Sequence, residues 1–177
     1  MCKLRWALSV VCLYSVGAWA QGAPQVFVST GSAGTIYSLN PANGSLTQLV
    51  YTQGADYEGM VVAPDNAVAD LPPADPAGTT HYLVYVCDTA NSRIWRFDPT
   101  APATLERIYN GGALQNPQCG RITSTGDLVV SSTVAGSGLW VFSGITNVAL
   151  GSGVQTPTHL IGVSGSSEGI AQKNIGD

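Results

Sequence analysis

The chain is poor in charge. Only 10 % of its 177 residues are Asp, Glu, Lys or Arg, 11 acidic against 7 basic, for a formal net charge of −4. No basic stripe is available to neutralise a phosphate backbone, so nucleic acid is not an expected partner. Helical periodicity is missing too. No segment longer than about ten residues keeps a 3.6-residue apolar period without a Gly or Pro. Cysteine is scarce at four residues, and two of them, Cys2 and Cys12, fall in the first twelve positions. Beyond the N-terminal segment, no apolar run is long enough to cross a bilayer.

That N-terminal segment has its own logic. Lys3 and Arg5 precede an apolar stretch from Trp6 to Gly17, and Ala18-Trp19-Ala20 is a small-x-small exit. Residues 1–20 therefore read as a secretory signal peptide, with cleavage expected before Gln21 and a secreted or periplasmic product. Its removal takes Lys3 and Arg5 away and leaves a more acidic chain. Cys87 and Cys119 remain. An oxidising destination makes a Cys87–Cys119 disulfide a candidate, although sequence does not fix their separation.

Glycine is abundant, at 21 residues, and it punctuates a repeated phrase. Glu58-Gly59-Met60 to Asn66, Cys119-Gly120-Arg121 to Asp127 and Glu168-Gly169-Ile170 to Asp177 each offer a variable residue, a Gly, an alternating stretch and a polar turn. Such self-similarity among short strands points to a repeated β-sheet unit. The marker glycines lie 61 residues apart (59 to 120) and then 49 (120 to 169). The longer interval holds residues 68–80, rich in Pro, Ala and Asp, expected as an exposed loop. Strands are expected at Gln25–Ser29, Thr35–Leu39 and Leu46–Thr52, then at Tyr82–Val86, Arg93–Phe97 and Leu105–Tyr109. A third set is Leu128–Ser132, Gly138–Phe142 and His159–Val163. Asn40 to Gly44 and Asp98-Pro99 supply turn chemistry between them.

Each unit is then a four-stranded antiparallel meander, and a radial packing of such sheets is a β-propeller. The expected fold is all-β. Blade 1 takes residues 25–52 and lacks its first strand, blade 2 takes 58–110, and blade 3 takes 119–164. Residues 168–177 give the first strand of blade 4. Three blades are fewer than propellers use, so the chain is expected to be part of a longer propeller of six.

Asp88-Thr89-Ala90-Asn91-Ser92-Arg93-Ile94-Trp95-Arg96-Phe97-Asp98 resembles the NHL-repeat signature. Glu58-Gly59 and Glu168-Gly169 resemble the Glu-Gly that opens a blade in the six-bladed SMP-30/gluconolactonase/LRE-like propellers. In that lactonase family the residue at this place faces a central channel, and Glu, Asn and Asp from different blades bind one divalent metal. The resemblance implies Glu58, Cys119 and Glu168 as the channel-facing repeat position. It also implies Glu58 and Glu168 as metal ligands, with calcium or zinc as the cofactor. Cys119 departs from the family pattern, since a thiol suits calcium poorly.

Plainer readings stand beside these. Glu58 and Glu168 can accept backbone N–H groups at a strand start. Asp88 can shape its own turn. Arg93 and Arg96 read as a solvated stripe on one strand face. Tyr37, Trp95 and Trp140 sit at matching places in three strands and read as packing between blades. Gly165-Ser166-Ser167-Glu168-Gly169 matches a serine-hydrolase pattern, but a strand-like stretch follows where a helix is needed. His81 and His159 have no partner at a motif spacing. Asn43-Gly44-Ser45 is a glycosylation acceptor where the host glycosylates. Two function classes follow. One is a secreted propeller scaffold that binds a protein or small ligand without catalysis. The other is a metal-dependent hydrolase of the lactonase or esterase type.

Overall fold

The structure, a computed structural model, describes residues 26–67 and 81–162. These form three antiparallel sheets, each a meander in chain order. Sheet I holds β1 (Val26–Ser29), β2 (Thr35–Leu39) and β3 (Leu46–Tyr51). Sheet II holds β4 (Tyr57–Pro64), β5 (Tyr82–Asp88), β6 (Arg93–Asp98) and β7 (Ala101–Asn110). Sheet III holds β8 (Pro117–Ile122), β9 (Leu128–Ser132), β10 (Leu139–Phe142) and β11 (Thr158–Ile161). A single 3-10 turn, Ile145–Asn147, lies between β10 and β11. Among the described residues no helix is long and apolar enough to cross a membrane.

Local chemistry sets the hairpins. Between β2 and β3, Asn40 Oδ1 accepts from the Ala42 amide and Asn43 Oδ1 from the Ser45 amide, each at 2.9 Å. Gly44 turns the chain there at φ +72°, a region open to Gly at no steric cost. Between β6 and β7, Asp98 Oδ1 accepts from the amide and the hydroxyl of Thr100, both at 2.7 Å. These side chains hold the turn by bonding their own backbone two residues on.

Sheet II is covered on both faces, so its strand β5 reads as a near-continuous apolar run. Successive side chains of β5 alternate between two cores. Leu83, Tyr85 and Cys87 join Val61, Ala63, Ile94 and Ile108 in a core shared with Leu128, Val130 and Phe142 of sheet III. Val84 and Val86 join Tyr57, Met60 and Phe97 in a second core, shared with Phe27, Ile36 and Val50 of sheet I. Val84, Val86, Ile94 and Phe97 have no exposed surface. Each such side chain contributes roughly 1.5–3 kcal/mol on burial.

Sheets II and III use corresponding faces in the same sense. In sheet II, Val84 pairs with Phe97 and Val86 with Trp95, and this face meets sheet I. In sheet III, Leu128 pairs with Phe142 and Val130 with Trp140, and this face meets sheet II. In sheet I, Val26 pairs with Leu39 and Val28 with Tyr37, the corresponding places of its own meander. One head-to-tail relation therefore takes sheet I to sheet II and sheet II to sheet III.

One expectation is corrected here. Arg93 and Arg96 do not share a solvated face, because residues three apart in a strand point to opposite sides. Arg96 is wholly buried and paired with Glu106 at 2.5 Å. Its Nη1 donates to the Val148 carbonyl at 2.6 Å and its Nη2 to the Ala149 carbonyl at 2.5 Å. Glu106 Oε2 accepts from the Gly151 amide at 2.7 Å, and the Ile108 carbonyl accepts from the Gln155 amide at 2.7 Å. The long β10–β11 connection is thus fastened to sheet II by a desolvated ion pair whose hydrogen bonds are filled, the condition under which such burial is tolerated.

Candidate functional site

The first strands of sheets II and III start with the same irregularity. Tyr57 pairs with Asp88 and Met60 with Val86, three residues against two. Pro117 pairs with Ser132 and Gly120 with Val130, again three against two. Each is a β-bulge, a device that re-aims a side chain and bends the strand. Val86 and Val130 hold equivalent places opposite Trp95 and Trp140. The register therefore matches Met60 with Gly120, Gly59 with Cys119, and Glu58 with Gln118. The marker glycines are offset by one residue in space. Gly120 takes the place of a methionine because little room is left there. A Cβ on it would meet Leu128 Cδ1 at 2.8 Å and Val61 Cγ1 at 3.6 Å.

The two bulges bring Glu58 and Gln118 together. Gln118 Nε2 donates to Glu58 Oε2 at 2.8 Å across the sheets. The Thr89 hydroxyl stands 2.9 Å from the Pro117 carbonyl and 3.3 Å from the same Glu58 oxygen. Glu58 is exposed. Its hydrogen-bond donors among the described residues are the side chains of Gln118 and Thr89, since the bulge turns it toward the neighbouring sheet. Gln118 Oε1 is buried without a hydrogen-bond partner among the described residues. Gln118 and Thr89 carry no signal in the glycine-anchored repeat. Anchoring the repeat on Trp95 and Trp140 would have found Gln118.

Behind this pair sits a structural carboxylate. Asp88 is wholly buried. Its Oδ1 accepts from the Asp56 amide at 3.1 Å and the Asn91 amide at 3.3 Å. Asn91 Nδ2 donates to both Asp88 oxygens at 3.0 Å, and Trp95 Nε1 to Oδ2 at 3.4 Å. Asp88 thus shapes the β5–β6 turn and ties it to the segment before β4. Partial burial, then the charges of Glu58 and Asp88, push the Asp56 carboxyl above its usual value.

The remaining sequence-derived residues lie elsewhere. Asn43 is exposed at the β2–β3 turn of sheet I. Cys87 is buried in β5, and the Cys119 side chain lies outside the described part, as does Glu168. Trp95 and Trp140 pack at the edges of the two cores. His159 stacks on Trp140, with ring centroids 4.7 Å apart.

Chemically, the site is an exposed carboxylate flanked by a hydroxyl and a carboxamide, all on β-bulges and turns of a rigid scaffold. It can exchange several hydrogen bonds with a ligand. The described donor set does not build a cation cage. Among the described residues, no group of three or more His, Cys, Asp or Glu side chains converges as metal ligands, and one Glu58 oxygen is already shared. No protein-family model and no curated protein matches the chain.

Proposed function

We propose that the three sheets are consecutive blades of a β-propeller related to the NHL and SMP-30/gluconolactonase/LRE-like folds. We further propose that the protein is an exported, non-catalytic scaffold that binds a ligand or protein partner at the Glu58–Gln118 end. The single observation that carries this reading is the head-to-tail relation of the sheets. A unit that packs on its neighbour by one repeated rotation generates a ring when the rotation closes, and propellers are built in that way. Two further points support it. Val26 and Val28 of sheet I are only partly buried, whereas Val84 and Val86 of sheet II and Leu128 and Val130 of sheet III, at the matching places, are at most 1 % exposed. A further sheet would complete that face. The strands β4 and β8, which begin at the bulges, also lie side by side, as inner strands do.

The hydrolase reading would require ligands beyond Glu58, and Gln118 turns its amide nitrogen to that carboxylate. The two readings part in one experiment, thermal unfolding of the chain with and without millimolar calcium or zinc. A ligand that binds only the folded state raises Tm. The scaffold reading expects no metal-dependent rise. A rise that disappears in Glu58→Gln would replace it with the hydrolase reading.

A further inference from the structure

The geometry points to a second binding site, a cleft for a neutral polyhydroxylated ligand of the saccharide class, between the outer strand of sheet II and β10 with the β10–β11 connection of sheet III. The cleft has a volume of about 280 Å³. One wall is the end of β7, with Tyr109, Asn110 and the glycines 111 and 112. The other comprises Trp140 and the segment Val154 to Pro157. The size lies near the lower limit of small-ligand pockets, so one or two sugar rings would fill it.

The ligand class follows from the lining chemistry. No lining residue is itself charged; the Arg93 guanidinium reaches the rim, where its Nε donates to Asn110 Oδ1 at 3.3 Å. Trp140 is the partly exposed aromatic side chain of the lining, while Tyr109 is 5 % exposed, packs edge-on against Phe142 and offers its hydroxyl. The negative face of an aromatic ring attracts weakly positive edges, and the C–H-rich face of a pyranose supplies such an edge without a charge. Around the Trp140 ring stand neutral groups that can both donate and accept, namely Gln155, Thr156 and Asn110, whose Oδ1 already accepts from Arg93. Sugar hydroxyls need partners of that dual kind.

The walls are already in position. Trp140 Nε1 is pinned to the Ser137 carbonyl at 2.8 Å, and His159 covers the ring on another side. The Tyr109 hydroxyl accepts from the Leu114 amide at 3.0 Å and retains its proton as a donor, since burial raises its pKa. Gln155 is held by its backbone N–H, which donates to the Ile108 carbonyl, and by its Nε2, which donates to the Gly153 carbonyl at 3.0 Å. The Arg96–Glu106 pair fastens the connection that leads into this wall. A pocket with fixed walls loses less affinity to ordering on binding.

The test is saturation-transfer NMR on the full chain with three probes at millimolar concentration: cellobiose, maltotriose and glucuronate. At least one neutral saccharide is expected to show saturable transfer, with glucuronate much weaker. Trp140→Ala should cut the transfer at least fivefold. Should that variant fail to fold, Gln155→Ala with Thr156→Val, on the partly exposed wall, should weaken binding several-fold while the circular dichroism is unchanged. Absence of transfer from both neutral saccharides would overturn the inference. So would transfer undiminished in the wall variant, or glucuronate binding as well as the neutral probes.

Discussion

Glu106→Ala tests how the β10–β11 connection is held. In the native protein Arg96 is 0 % exposed and the Glu106 side chain 15 %. Removing the carboxylate leaves a guanidinium in the interior without its counter-charge, still donating to the Val148 and Ala149 carbonyls. It also orphans the Gly151 amide. Breaking one partner out of a buried pair costs about 3–5 kcal/mol. The residual exposure of Glu106 places this case at the lower end, at about 3 kcal/mol, or a fall in Tm of roughly 6–12 °C for a domain of this size. Urea unfolding followed by tryptophan fluorescence measures it. The double variant Arg96→Met with Glu106→Leu should recover most of the loss, because no charge then remains in the interior. The coupling between the two sites follows from the double-mutant cycle. A loss below about 0.5 kcal/mol for Glu106→Ala, the range of an ordinary surface change, would mean that the ion pair does not hold the connection.

Three further outcomes are expected. Asp88→Ala should lose roughly 2–3 kcal/mol in the same unfolding assay, because the Asp56 amide, Asn91 and Trp95 Nε1 all lose a buried acceptor; a near-neutral result would remove Asp88 as the keystone of its turn. Asp56→Asn should raise Tm at neutral pH. The Asp56 carboxyl has a raised folded-state pKa, so its ionised form opposes folding above that value, and native stability is regained as pH falls through the folded toward the unfolded value. The advantage of the variant should shrink in acid, and a gain independent of pH would contradict this assignment. Gly120→Met, which copies the equivalent residue of sheet II, should force sheets II and III apart and lower the urea midpoint, whereas an unchanged midpoint would show that the interface has room to spare.

Much of the strand order was legible from turn chemistry. Asn43-Gly44 and Asp98-Pro99 mark hairpins whose side-chain bonds the structure displays, and the alternation in β5 fixes two faces. The β7 strand begins at Ala101 rather than Leu105, because the Asp98–Thr100 bonds close the turn at once. The site was less legible. A bulge inserts one residue without changing composition, so a repeat anchored on glycine slides by one and places Cys119 where Gln118 stands. Arg96 was missed for another reason. An arginine reads as exposed until a carboxylate and two carbonyls from distant parts of the chain converge on it, and the Val148 and Ala149 carbonyls lie about fifty positions further along.

The most direct test of the stacking is a methyl NOE spectrum of the chain with labelled valine and leucine. Cross-peaks are expected from a Val61 methyl to the Gly120 α-protons, which the close approach of sheets II and III requires. Val84 and Val86 methyls should show cross-peaks to the sheet I core instead. Cross-peaks from Val84 or Val86 to Leu128, with none from Val61 to Gly120, would mean that sheet II faces the other way, and the repeated head-to-tail packing would be wrong.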